Sequence, residues 1–310
     1  MIVLSAAGLS EAPIGLKVYG AGTMTTPYSF KAVFIEKTVH LSNVSVALDD
    51  SITLKFYAPV ERFDDAGVNK VTLSGPNATI DITSFGKDDT GSYYVFSYLL
   101  YATQLDEDVT IQFKKGSNVV KIKSEHEIYD EFSYKINDYC DYILQDTDDI
   151  FDIKTRKAAY SLQNLGLASE NYFGGTNEII FLDDTDDVMS ELTDVYGADF
   201  TSDEAKLSLV LDSKLSARLY IDGLSEGDKS DDNAYTAIAG LDGKACFELT
   251  NLDPTDLGGI YGIEYNGKTY SFSALSYCAR AINNTTNPNA PVIAQAVYEY
   301  YKYVERYVSL

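Results

Sequence analysis

Tryptophan is absent from this 310-residue chain, and there are only two histidines and three cysteines. These counts leave little for zinc binding, thiol catalysis or histidine-based proton transfer. The two histidines, His40 and His126, stand far apart. With 47 acidic residues, pairs of carboxylates arise from number alone and indicate no glycosidase. We therefore predict that the chain is not an enzyme.

The three cysteines are too few and too widely spaced to form a disulfide framework or a zinc site. Cys140 and Cys278 each follow a tyrosine, and Cys246 lies in an apolar run. We interpret all three as small buried apolar side chains. A single disulfide is the alternative.

Cations are scarce, because 24 lysines and arginines face 47 aspartates and glutamates and leave a net charge of −23. Such a surface repels phosphate backbones and anionic lipids, so we expect no nucleic-acid partner and no binding to membrane surfaces. Long apolar runs are also lacking. The uncharged stretch 281–298 contains four asparagines and two prolines and is unsuited to spanning a bilayer. Membrane insertion is therefore not expected.

Acidic residues concentrate in two short clusters, 146–149 and 183–187. Carboxylate oxygens are the ligands that calcium prefers, so each cluster is a candidate calcium site. Neither has the Asp-x-Asp-x-Asp-Gly spacing and distal glutamate of a calcium-binding loop. The alternative is a solvated acidic surface between two halves of the chain, and apart from calcium we expect no cofactor.

An internal repeat is the most informative feature of the sequence. Four blocks recur in the same order: 46–57 matches 209–220, 94–98 matches 245–249, 109–113 matches 261–265, and 132–140 matches 270–278. In the first pair of blocks, an aspartate, an aliphatic residue and a basic-apolar-Tyr triplet recur at the same spacing. Chance rarely preserves the order of four matching blocks, so the chain reads as two diverged copies of one unit.

Each copy begins with short β-type segments and ends with helical periodicity. Apolar and polar residues alternate over 52–57, which indicates a half-buried strand, and further strands are predicted, including one near 31–36. Tyr139, Tyr142 and Ile143 follow the helical spacing i, i+3, i+4. The predicted fold class is α+β, with two immunoglobulin-like β-sandwiches that are each followed by a helical hairpin. The predicted boundaries are 1–128 for the first sandwich, 129–175 for its hairpin, 176–272 for the second sandwich and 273–310 for the C-terminal hairpin.

Tyrosine is abundant, with 25 residues, and most of these rings are expected in the core. Tyr57 and Tyr220 are the best candidates for a binding site, since they occupy equivalent repeat positions. Each follows a cation by two residues, Lys55 and Arg218 respectively, on the strand face opposite the apolar series. A tyrosine ring beside a cation can stack on a sugar or anchor a protein partner. The alternative is that this face packs beneath the helices.

Two motifs resemble segments of large surface proteins from gut Gram-positive anaerobes. Residues 132–144 (FSYKINDYCDYIL) are similar to a family segment that usually reads YSVKDYADYIL, and residues 162–173 (LQNLGLASENYF) are similar to its companion helix, typically MLNYGAAAQxYF. Residues 270–277 (YSFSALSY) resemble the counterpart in the second half. With the order of sandwiches and hairpins, the likeness covers about residues 45–310. It carries no catalytic residues.

The resemblance implies an extracellular module, attached to the cell surface as part of a larger protein and itself monomeric. Relatives include starch-adherence and immunoglobulin-binding surface proteins. The expected function is therefore non-catalytic binding of a neutral polysaccharide, such as starch or another plant glycan. A protein-binding adhesin module and a structural spacer are the alternatives. The start of the chain lacks the cationic region of a signal peptide, which suggests a cut inside a longer exported protein.

Overall fold

The computed structural model describes residues 38–48, 51–124, 127–148, 150–197, 205–221, 236–238, 245–249, 252–265, 268–284 and 286–308. The predicted strand near 31–36 and His126 lie outside these ranges. Within them the chain is a mixed α+β structure with helices and several small sheets. No described helix combines the length and the apolar character that crossing a bilayer requires.

The first half contains most of the described strands. Its elements are β1 (Val39–His40), β2 (Asn43–Ala47), β3 (Ile52–Pro59), α1 (Val60–Ala66), β4 (Lys70–Ser74), β5 (Thr79–Ile82), β6 (Tyr93–Leu100), β7 (Val109–Lys115), β8 (Asn118–Val120), β9 (Ile122–Ser124), β10 (Glu127–Tyr129), β11 (Phe132–Tyr134), α2 (Ile136–Leu144) and α3 (Ile153–Tyr172). The strands form three sheets, β1-β9-β10, β2-β3-β6 and β11-β7-β4-β5, with β8 added to β7.

The second half is built from fewer described elements. These are α4 (Thr185–Tyr196), β12 (Ala205–Val210), β13 (Ser216–Ile221), β14 (Thr236–Ile238), β15 (Ala245–Leu249), β16 (Tyr261–Tyr265), β17 (Lys268–Phe272), α5 (Ala274–Ala281) and α6 (Asn289–Val308). Four of the strands form the sheet β12-β13-β15-β14, and β16 pairs with β17. A buried Ser273–Ser276 capping box starts α5, in which Ser276 N donates to Ser273 Oγ over 2.9 Å.

Burial explains why two sheets of the first half face each other. Every second residue of β3 is buried, which places its apolar side chains on one face. Phe96 of β6 lies 5.8 Å from Phe113 of β7 between ring centroids, and Phe63 of α1 touches both rings. One apolar cluster continues from these rings through both halves of the chain. Within that cluster, α3 and α6 pack against each other more extensively than any other pair of described elements.

The strand ladders of the two halves have equivalent registers. In the first half β3 pairs Lys55 with Ser97, and in the second half β13 pairs Arg218 with Glu248. The aligned blocks match Lys55 with Arg218 and Ser97 with Glu248. Every other residue pair of the β13–β15 ladder likewise matches a pair of the β3–β6 ladder. Residues 46–57 and 209–220 each cover the end of one strand, a turn and the next strand.

The same correspondence holds for the strands that precede the helices. Ser133 of β11 pairs with Thr110 of β7, and Ser271 of β17 pairs with Gly262 of β16. Helices α2 and α5 then begin at equivalent positions, and α3 and α6 each span 20 residues. The finer prediction of two immunoglobulin-like sandwiches stays a prediction, because the described part of the second half consists of two separate small sheets.

Three elements differ from the expected organisation. Helix α1 interrupts the strands of the first half, and α4 lies inside the segment 176–272 that was predicted as a sandwich. Strand β11 lies inside the segment 129–175 that was predicted as a helical hairpin. Its three residues are too few to show a period, whereas pairing with β7 fixes them as a strand.

Candidate functional site

The solvent face of the sheet β2-β3-β6 carries the first predicted pair of site residues. Ile52, Leu54 and Phe56 are buried, so the alternation of β3 directs Lys55 and Tyr57 to the opposite face, where both are half-buried. The outward positions of the three strands hold no aspartate or glutamate. This face therefore lacks the carboxylates that acid–base catalysis of glycoside hydrolysis requires.

Tyr57 is held in place by two neighbours. Its hydroxyl lies 3.1 Å from Ser45 Oγ on β2. Its ring meets the ring of Tyr93 edge to face, with centroids 6.3 Å apart and planes at 84°. Such a contact stabilises both rings beyond their burial and leaves part of each ring surface free. Tyr93 was missed in the sequence, since only the antiparallel register of β3 and β6 brings it diagonally beside Tyr57.

Small hydroxyl side chains surround the tyrosine pair. Ser45, Lys55 and Ser97 pair across the three strands and form one outward row, and Thr53 lies one step further along β3. Lys55 forms no ion pair with any described residue. The face thus offers aromatic surface, hydroxyl donors and acceptors, and one cation, which together suit a hydroxyl-rich neutral ligand.

The second predicted pair, Arg218 and Tyr220, has a different environment. Arg218 Nε donates to Glu248 Oε1 over 2.8 Å, and Ser216 Oγ donates to the same oxygen over 3.1 Å. Glu248 is only 8% exposed. Burial lowers the pKa of the Arg218 guanidinium, but hydrogen bonds to Glu248 and to Tyr220 outweigh it and leave the pKa raised. Both predicted residues of this half are therefore engaged within the protein.

The structure does not bring the two predicted pairs into one site. Tyr57 lies on β2-β3-β6 and Tyr220 lies on β12-β13-β15-β14, which are separate sheets. A small cleft lies where equivalent turns of the halves meet, lined by Ser51, Lys214, Leu165 of α3 and Tyr300 of α6 among others. Its interior of about 20 Å³ accommodates little more than one water molecule. A sugar ring does not fit there.

The acidic cluster 183–187 is built into the structure of the protein. The Asp183 carboxylate accepts from Lys302 Nζ at 2.9 Å and from Tyr303 Oη at 2.6 Å. Burial raises the Asp183 pKa, but these hydrogen bonds outweigh it and the pKa is lowered overall. Asp184 caps the N-terminus of α4, where negative charge is favourable. These contacts account for two acids of the cluster without a metal.

The cluster 146–149 has a similar structural role. One Asp146 oxygen accepts from the Phe151 N–H at 2.9 Å and lies 3.3 Å from Arg156 Nη2, while the other accepts from the Asp148 N–H. Asp149 lies outside the described residues. Across the ranges that the structure describes, no three His, Cys, Asp or Glu side chains gather as metal ligands. Calcium binding stays an untested hypothesis.

Cys140 and Cys278 are free thiols buried at equivalent positions of α2 and α5. Burial raises the pKa of Cys140 to about 12 and raises that of Cys278 as well. Neither side chain is therefore a nucleophile at neutral pH. The interpretation as small buried apolar residues holds for these two cysteines, and the Cys246 side chain lies outside the described part.

Comparison with known proteins adds no assignment to this geometry. No family model, curated protein or solved structure matches the chain. Function must therefore be argued from the contacts of the described residues.

Proposed function

We propose that this chain is a non-catalytic extracellular binding module that holds a neutral polysaccharide on the solvent face of β2-β3-β6. The observation that carries the proposal is the outward Tyr57–Tyr93 pair, flanked by hydroxyl side chains and free of carboxylates. A tyrosine ring offers a flat apolar surface for a sugar ring and loses little conformational entropy when it does so. The −23 net charge places no barrier before an uncharged ligand.

The edge-to-face geometry defines how a glycan is held. With ring planes at 84°, the two rings cannot form one continuous platform, so one sugar ring stacks on a single tyrosine. The neighbouring Ser45, Thr53 and Ser97 supply hydrogen bonds to the hydroxyl groups of the sugar. The Lys55 ammonium can donate hydrogen bonds to the sugar but cannot accept them. We expect weak binding to one unit and measurable binding to a polymer that presents many units.

The wider context of the proposal rests on the motifs in α2 and α3. They resemble surface proteins of gut Gram-positive anaerobes, which supports a cell-surface location within a larger protein. We also propose that both halves are copies of one immunoglobulin-like sandwich unit. The equal pairing registers of β3–β6 and β13–β15 support this duplication.

Titration with soluble starch and a panel of plant polysaccharides tests the proposal. Changing Tyr57 and Tyr93 together to alanine is expected to weaken glycan binding about tenfold, the loss typical of removing an aromatic contact. Tyr220→Ala is the matched control, since Tyr220 occupies the equivalent position in the second half and is expected to leave binding unchanged. Absence of binding to every polysaccharide would remove the proposal in favour of a protein partner or a spacer role.

A further inference from the structure

We propose that His40, Arg62 and Lys123 form a binding site for a single tetrahedral oxyanion, a sulfate or phosphate group. The three residues come from β1, α1 and β9, and α1 and β9 each pack against β1. The site uses none of the residues of the tyrosine face, so it stands whether or not the chain binds a glycan.

The geometry begins with the parallel pairing of β1 and β9. Val39 pairs with Ile122 and both are completely buried, so the next pair, His40 with Lys123, points to the opposite, accessible face. Neighbouring strands lie about 4.8 Å apart, which places the imidazole beside the lysine stem. On the far side of Lys123, its partner Ile128 of β10 is 59% exposed, so this face of the sheet is uncovered.

Arg62 completes the group of cations. Helix α1 packs against β1, and Arg62 is an exposed residue of its first turn. Burial lowers the pKa of the His40 imidazole, and the charges of Lys123 and Arg62 lower it further. The packing of α1 on β1 therefore places Arg62 on the element next to His40.

Three basic side chains on neighbouring elements lack ion-pair partners in a chain where acids outnumber cations about two to one. Several other described cations pair with acids, although Lys55 does not: Lys70 with Asp81, Lys121 with Asp130, Lys135 with Asp106, Arg156 with Asp146 and Lys302 with Asp183. Among the described residues, His40, Arg62 and Lys123 form no ion pair. An external anion is the partner that this arrangement lacks.

The elements packed against β1 carry several charged groups. They are Lys55 of β3, Glu61, Arg62, Asp64 and Asp65 of α1, Lys123 of β9 and, beyond it, Glu127 of β10. Two of the acids have hydrogen bonds elsewhere, because Asp64 accepts from Tyr94 Oη at 3.1 Å and Glu127 accepts from Tyr129 Oη at 2.6 Å. Neither of these two carboxylates forms an ion pair with the three cations.

The charge of the whole chain selects a sparsely charged ligand. A net charge of −23 repels a polyanion at long range, whereas a single oxyanion within a few ångströms responds mainly to the nearest cations. Guanidinium and ammonium groups bind sulfate and phosphate oxygens through charge-assisted hydrogen bonds. Acidification protonates His40 and adds a third positive charge, so binding is expected to tighten as pH falls.

The scarcity of histidine makes the test direct. The ring protons of the two histidines are followed by NMR in the full chain, with His126→Gln used to assign His40. Inorganic sulfate is expected to raise the His40 pKa beyond the effect of sodium chloride at equal ionic strength. Arg62→Gln and Lys123→Gln are each expected to weaken sulfate binding about fivefold, the upper range for an exposed charge pair. Lys123→Arg restores binding, and Lys154→Gln on α3 serves as a control lysine.

Equal His40 titrations in sulfate and in matched chloride would overturn the proposal, as would unchanged binding by the Arg62 and Lys123 variants. Inorganic phosphate, glucose 6-sulfate and glucose 6-phosphate then identify the source of the anion. Stronger binding of a sugar ester than of the inorganic ion indicates an ester on a larger ligand. Glucose itself is expected to leave His40 unchanged, which separates this site from the tyrosine face.

Discussion

The two halves of the chain use one strand register for two kinds of chemistry. Lys55 and Ser97 pair across the first sheet with both side chains accessible, whereas Arg218 and Glu248 pair at the equivalent place as a hydrogen-bonded ion pair. Glu248 is buried, while Ser97 is exposed. The backbone correspondence is thus retained where the side chains have diverged.

The difference lies in how the cation of each half is used. At the position equivalent to Ser97, the second half has Glu248. The Glu248 carboxylate accepts a hydrogen bond from the Arg218 guanidinium. In the first half, the cation remains beside Tyr57 without an ion-pair partner in the described structure. The two equivalent positions therefore differ in whether the cation is ion-paired within the protein.

Removing the cation from each half has the largest expected effect. Arg218→Ala leaves the buried Glu248 carboxylate without its partner and is expected to lower the free energy of unfolding by about 2 kcal/mol, less than for a fully buried pair because Arg218 is about one-third exposed. Lys55→Ala is expected to change it by less than about 0.5 kcal/mol. Urea unfolding of both variants measures the contrast. Equal losses would show that the two positions are not energetically distinct.

A second contrast concerns the eleventh residue of the two long helices, Gln163 in α3 and Glu299 in α6. Gln163 donates to Asp141 Oδ1 at 2.7 Å. Glu299 is completely buried and accepts from the N–H groups of Leu182 and Asp183 at 3.1 and 2.9 Å. Burial raises the Glu299 pKa, and the nearby Asp183 charge adds to this against the hydrogen bonds that lower it.

Glu299→Gln makes α6 resemble α3 and is expected to change the pH dependence of stability. A carboxyl with a raised pKa binds its proton more tightly in the folded chain than in the unfolded chain. Its contribution to the free energy of unfolding therefore falls as pH rises from 4.5, the ordinary value, through the raised pKa. The variant lacks this fall, whereas the contribution of Asp183, whose pKa is lowered, is lost only below 3.8 in both proteins. Urea unfolding midpoints of the original chain and the variant are measured between about pH 4 and 7. A constant difference between the two midpoints over this range would contradict the prediction.

Much of the backbone arrangement was predictable from the sequence, and the side-chain partners were not. The aligned blocks place Arg218 and Glu248 at positions equivalent to Lys55 and Ser97, yet a sequence does not show that Arg218 and Glu248 are cross-strand neighbours that form an ion pair. Tyr93 was missed for the same reason, since it lies diagonal to Tyr57 rather than in a matched block. Cross-strand contacts depend on side-chain direction, which repeats do not encode.

The missed helices have a different explanation. Helix α4 buries only Val188 and Leu192, so its apolar face is too narrow to show helical periodicity among the acids. The available signal was Asp184 followed by acids in the first turn, a typical helix start. Helix α1 is seven residues long, which is too short for a period, and it ends at Gly67 with a left-handed φ of 69°.

Building the second-half pair into the first half is expected to have a smaller effect on stability. Ser97→Glu places a carboxylate opposite Lys55 on the exposed face and is expected to raise the free energy of unfolding by about 0.5 kcal/mol. The same change engages Lys55 and places negative charge beside Tyr57, so it is expected to weaken polysaccharide binding. Ser133→Glu on β11 is a control for adding one exposed acid. Loss of binding with the control would show that net charge, and not the local pair, is responsible.

The smallest expected difference is between the two buried thiols, and it tests whether the halves unfold as one unit. Cys140 and Cys278 lie at equivalent positions, and the apolar core and the packing of α3 on α6 join their surroundings. In a Cys246→Ser variant, only these two thiols remain. Because burial raises both pKa values, each reacts with a thiol reagent only after its helix opens. A shared opening gives equal labelling rates at both positions, measured by mass spectrometry in dilute urea. A tenfold faster reaction at either cysteine would mean that one half opens while the other stays folded, and the α3–α6 contact would then be a docking surface between two independently stable units.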